Sequence, residues 1–114
     1  MDDAAPTVYR WDDIPDIVSP DLRRKVISGD RVMITRALRA RGCVVEGHQH
    51  ENEQLTYVVE GKLQFWLGPH DERQVVVSAG EVLHVPANVP HRALALEDTL
   101  ELDIFSPPRA DLTR

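Results

Sequence analysis

From residue 21 onward the chain alternates apolar and polar positions in short runs, each closed by turn-forming residues. Within Arg31–Ala40, Val32 and Ile34 alternate with Met33 and Thr35. Within Thr99–Phe105, Leu100, Leu102 and Ile104 share one face while Glu101, Asp103 and Phe105 share the other. A period of two marks a strand with two different environments. The second of those faces is either solvent-facing or the wall of a polar cavity, solvent being the default. Further strands are predicted over Leu22–Ser28, Cys43–His48, Gln54–Val59, Leu63–Leu67, Gln74–Val77, Glu81–Val85 and His91–Leu96. Gly29-Asp30, Arg41-Gly42, Gly61-Lys62 and Gly68-Pro69 supply the breaks between several of them. About nine short, evenly spaced strands predict an all-β antiparallel sandwich or barrel. No stretch after residue 21 has a helical period, and no repeat of solenoid length is present.

The first twenty residues read differently. Three prolines and a cluster of aspartates predict an extended arm over residues 1–20, leaving the β domain to residues 21–114. Trp11, Ile14 and Ile17 are placed to pin that arm to the body or to a second subunit.

Composition narrows the classes of function. A chain of 114 residues forms one domain with a core of its own. A net charge of -6 argues against nucleic acid as a partner, because phosphate binding needs a basic face. It leaves small anionic substrates open, since a local metal and one arginine outweigh a distant acidic surface. Cys43 is the only cysteine, so no intrachain disulfide forms and a reducing, cytoplasmic setting is expected. No apolar run approaches the roughly 20 residues of a membrane span, and the N-terminus lacks a signal-peptide pattern.

The candidate chemistry lies in the histidines. His48 and His50 are two residues apart on an expected strand, and so can meet one ion on a shared face. His91 follows a turn marked by Gly80, Pro86 and Asn88. His70, in a turn, and His84, on a strand, are expected to be structural. Glu51 and Glu53 are expected to be solvated loop residues, and Cys43 an unreactive strand residue.

The segment Gly42-x5-His48-x-His50-x3-Gln54-x6-Gly61 resembles the first signature of the cupin superfamily. Gly80-x5-Pro86-x-Asn88-x2-His91 resembles the second. The resemblance implies a cupin double-stranded β-helix, a jelly-roll barrel, over residues 21–114. It also implies one divalent metal held by His48, His50, Gln54 and His91. Gln54 stands where the general motif has glutamate, and Asn88 stands where it has glycine; asparagine tolerates the left-handed backbone such a turn needs. Three nitrogens and one oxygen leave two positions of an octahedral ion open, and admit manganese, iron, nickel, zinc or copper.

The C-terminal run Asp103-x-Phe105-Ser106-Pro107-x-Arg109-x-Asp111 resembles the ending of small cupins related to the pectin degradation protein. Members of that family linearise unsaturated uronates toward 5-keto-4-deoxyuronate, so the resemblance implies isomerisation or ring opening of a small sugar acid. It assigns the catalytic roles to Asp103, which moves protons, and Arg109, which pairs with the substrate carboxylate. The plain alternative for Arg109 is an ion pair with Asp111. Within this family the glutamine at position 54 is the expected residue. The same ligand set also occurs in dioxygenases of the quercetinase or diketone-cleaving type and in cupins that bind small molecules without catalysis. An aromatic content of 5% favours a polar substrate over an aromatic one. Leu55 and Tyr57 should point away from the metal, on a face suited to a homodimer partner.

Overall fold

The computed structural model describes residues 5–113; residues 1–4 of the expected arm lie outside them. Ten strands follow one another: β1 (Ile17–Ser19), β2 (Leu22–Ser28), β3 (Met33–Arg39), β4 (Val44–His48), β5 (Glu53–Glu60), β6 (Lys62–Leu67), β7 (Arg73–Ser78), β8 (Val82–Val85), β9 (His91–Ala95) and β10 (Thr99–Ser106). They form a six-stranded sheet, β1-β2-β3-β10-β5-β8, and a four-stranded sheet, β4-β9-β6-β7. Every pairing is antiparallel, as in a jelly-roll barrel. The alternation in the sequence therefore becomes an inside and an outside, as a sheet covered on one face requires.

Register turns the inner face of the larger sheet into rows. Met33, Phe105, Gln54 and Val85 lie side by side in the first. Val26, Thr35, Asp103, Thr56 and Leu83 form the second. Arg24, Ala37, Glu101 and Val58 form the third, and Leu22, Arg39 and Thr99 the fourth. Apolar side chains gather around Val58, Leu63 and Phe65, with a second cluster of Met33, Phe105 and Leu112.

Two expectations need correction. The Glu101/Asp103/Phe105 face of β10 does not meet solvent: Glu101 is 2% exposed and Asp103 5%. The reason is position, since β10 lies between β3 and β5 in the middle of its sheet, with this face turned into the barrel. The sequence reading also passed over β1, which pairs with β2 inside the stretch expected as an arm. Only three residues long and set between Pro15 and Pro20, it is too short to show a period. Ahead of it, Trp11–Asp13 make a single 3-10 turn. This region is anchored through its backbone: Lys25 Nζ donates to the carbonyls of Trp11 (3.0 Å) and Ile14 (2.7 Å).

Two turns carry the backbone demands. Asn88 adopts φ 62°, the left-handed conformation anticipated for it, and its N–H donates to the His50 carbonyl at 2.8 Å. Gly61, between β5 and β6, has φ 94°; a Cβ there would lie 2.5 Å from both Asp98 O and Thr99 Oγ1. Glycine alone fits that corner.

Candidate metal centre

The three histidines arrive from two neighbouring strands and the turn after one of them. His48 ends β4 and His91 begins β9, and the two are direct partners in register. His50 lies just beyond β4 rather than on it, so the pair does not share a strand as expected. The turn restores convergence: the ring centroids are 4.3 Å apart for His48 and His91, 5.0 Å for His50 and His91, and 5.3 Å for His48 and His50. One ring nitrogen from each lies within 4.8 Å of the others.

Each ring is oriented in the same way. Nδ1 of His48 lies 2.8 Å from the Glu46 carbonyl, Nδ1 of His50 2.9 Å from that of Asn52, and Nδ1 of His91 2.8 Å from that of Val89. A carbonyl only accepts, so each Nδ1 carries the proton and each Nε2 presents a free lone pair. Burial holds His91 well below the usual histidine range, at about 4, with the neighbouring His48, His50 and Arg109 adding to the shift. Burial, then the Arg109 cation, lower His50 as well. Neutral imidazoles bind metal without first losing a proton.

Gln54 completes the cluster from the first inner row of the larger sheet. Its Nε2 donates to Thr56 Oγ1 at 2.8 Å, and Thr56 Oγ1 donates to Asp103 Oδ1 at 2.6 Å. That chain fixes the amide, nitrogen toward Thr56, and leaves Oε1 free. Nε2 of His48, His50 and His91 and Oε1 of Gln54 are all buried with no hydrogen-bond partner. Leaving a buried acceptor unsatisfied costs about 1–3 kcal/mol, and four together in one place is a signature that a cation satisfies. The donor set fits a divalent ion held by three imidazoles and one amide oxygen.

The remaining candidates surround a cavity of about 210 Å³. His48, Gln54, His91, Asp103 and Arg109 all line it. Arg109 sits with its guanidinium 5.1 Å from the Phe105 ring and pairs with Asp111 at 2.8 Å. Its side chain is nonetheless only 14% exposed, so the ion pair and a place on the cavity wall coexist. Asn52, buried between the metal cluster and the C-terminal segment, donates to the Pro107 carbonyl and ties the two together.

His84 and Glu53 pair at 2.6 Å on the outer surface, and Glu51 and His70 are exposed. Cys43 is buried, with Arg39 Nη1 3.7 Å from its sulfur. Three charged residues that sequence reasoning did not assign also line the cavity: Arg24, Arg39 and Glu101. Arg39 and Glu101 form a buried ion pair. Burial, then the adjacent Asp103 carboxylate, push the Glu101 carboxyl well above the ordinary range against the pull of Arg39. The alternation along β10 already grouped Glu101 with Asp103; nothing in β2 taken by itself singled out Arg24.

Residues 37–106 match the family described as a cupin domain. No curated protein matches the sequence. Among solved structures, KdgF from Halomonas sp. is 30% identical, with a TM-score of 0.85 over 95% of this chain and 99% of that one. An RmlC-like cupin from Shewanella frigidimarina is 24% identical, with a TM-score of 0.84 over 95% of this chain and 96% of that one. A variant of Bacillus subtilis oxalate decarboxylase, 16% identical with a TM-score of 0.79, matches 95% of this chain but only 32% of its own, and so speaks for the fold alone.

Proposed function

This chain belongs to the cupin family, and from that premise we propose that it is a metal-dependent enzyme acting on a small sugar acid by isomerisation or ring opening. The favoured substrate is an unsaturated uronate, converted toward 5-keto-4-deoxyuronate. The observation that carries this reading is the meeting of four unpartnered ligand atoms in one cluster, three of whose residues, His48, Gln54 and His91, line one cavity with Asp103 and Arg109. The likeness to KdgF, at 30% identity over nearly the whole of both chains, supports it.

His48, His50, Gln54 and His91 would hold the ion. A divalent ion in that setting supplies Lewis acidity toward substrate oxygens, and a neutral glutamine in place of a carboxylate leaves that acidity stronger. The remaining work belongs to the chain's own side chains. Arg109 offers a fork of donors to the carboxylate. Asp103, held by Thr56, takes the proton of the anomeric hydroxyl as the ring C–O bond breaks. An aldehyde and an enol result, and return of a proton to the adjacent ring carbon turns the enol into a ketone. Atoms balance without an oxidant.

Independence from oxygen is therefore the test. Under strict anaerobiosis the metal-loaded protein should consume an unsaturated uronate at its aerobic rate, followed by loss of the absorbance of the conjugated double bond. Oxygen uptake with a diketone or a flavonol, and none of the anaerobic turnover, would assign a dioxygenase instead. Binding without turnover of either class would assign a non-catalytic small-molecule carrier.

We also propose a homodimer, formed through the outer face of the larger sheet. Leu55 and Tyr57 are 40% and 38% exposed there, in register with Ile104 and Leu102 of β10. Replacing both Leu55 and Tyr57 with arginine is expected to yield a monomer by light scattering while preserving the far-UV spectrum. A parent protein that is itself monomeric at micromolar concentration would remove this interface.

A further inference from the structure

The third inner row of the larger sheet, two rows beyond Gln54, has an unusual composition for a barrel interior. Arg24 and Glu101 flank Ala37, a small and fully buried residue. The row lies roughly 13 Å along the strand from the Gln54 row, at about 3.3 Å per residue over four residues. Arg24 and Glu101 both line the cavity that reaches His48, Gln54 and His91. The other cavity charges have partners: Arg39 has Glu101, Arg109 has Asp111, and Asp103 accepts from Thr56. Among the described residues no hydrogen bond or ion pair reaches the Arg24 guanidinium.

A guanidinium offers only donors, and a carboxylate offers acceptors. A hydroxyl group needs one of each, an acceptor for its hydrogen and a donor for its oxygen. A hydroxyl between Arg24 and the carboxyl groups of Glu101 and Asp103 finds both. From this juxtaposition we infer that Arg24, across Ala37 from Glu101, is a specificity residue that binds hydroxyl or carbonyl oxygens of the ligand remote from the metal. The ligand class is then a polyhydroxylated acid extended along the cavity, rather than a simple carboxylate.

Burial and the nearby Arg39 lower the affinity of Arg24 for its proton, which agrees with a cation short of compensating contacts. Arg24 answers to that need when an oxygen-rich ligand enters. A purely structural Arg24 would instead be held by a partner of its own, as Arg39 is by Glu101. The inference rests on the reading of the cavity as a sugar-acid site, but not on any particular reaction there.

The test uses two six-carbon acids, galacturonate and hexanoate, titrated calorimetrically into metal-saturated protein. They share a carboxylate and differ in their hydroxyls. Arg24→Met should weaken galacturonate roughly tenfold or more, the scale of a lost charge-assisted hydrogen bond, and leave hexanoate unchanged. Arg24→Lys should restore part of the loss, which a folding defect would not do. Arg109→Met, by contrast, should weaken both acids. Equal weakening of both acids by Arg24→Met, or no effect on either, overturns the assignment, as does a parent protein that fails to bind galacturonate. Galacturonate binding that depends on Arg24 in a protein unable to turn over an unsaturated uronate would retain this inference and discard the reaction proposed above.

Discussion

Replacing His48 and His50 together with alanine is expected to reduce the metal content of the purified protein from about one ion per chain to background. Elemental analysis makes the measurement, with far-UV circular dichroism confirming that the barrel persists. The expectation follows from the number of ligands lost. Three imidazole nitrogens and one amide oxygen converge without other partners, and the double substitution removes two of the four. Loss of a residue that merely orients a ligand already lowers metal affinity by about 10–100-fold, so loss of two ligands should exceed that range. The barrel should survive, because neither side chain belongs to the apolar clusters around Val58 and Met33. Metal retained at full occupancy would move the site elsewhere.

The second large effect is expected at Asp103. Asp103→Asn preserves shape and the ability to accept from Thr56, but the amide cannot take up a proton. Turnover of an unsaturated uronate should fall by roughly 10²–10⁴-fold, the usual contribution of a positioned acid or base. The Michaelis constant should change little, since the proposed hold on the carboxylate is through Arg109. Metal content should also hold, because Thr56 keeps its acceptor and Gln54 its orientation. A variant with parental turnover would take Asp103 out of the reaction. One that lost its metal would make Asp103 a support for Gln54 instead.

Much of this architecture was legible in the alternation of the chain, and the exceptions have physical causes. The nine strands expected from residue 22 onward all form, with ends shifted by two residues at most. Period-two patterning reports local geometry, and local geometry is what a strand repeats. The choice of inner face on β10 was not legible, because both faces offer apolar side chains and only the packing of the two sheets buries Glu101, Asp103 and Phe105. For the candidate metal cluster, the resemblance to the two cupin signatures brought His48, His50, Gln54 and His91 together, although His50 lies beyond the strand expected to carry it. Arg24 escaped notice for the opposite reason. Its meaning comes from register, from facing Ala37 and then Glu101 across two strand pairings separated by many residues in sequence.

The three imidazoles are all oriented by backbone carbonyls two positions away, those of Glu46, Asn52 and Val89. Peptide carbonyls are the one part of a protein that no side-chain substitution deletes. Ring tautomer and ring direction are thus insulated from whatever lines the remainder of the barrel. The wall facing the cavity is free to be redrawn for a ligand of another shape while the histidine corner keeps its geometry. In engineering terms the barrel is a fixed socket with an interchangeable lining, and Arg24 and Glu101 are the positions at which to begin changing it.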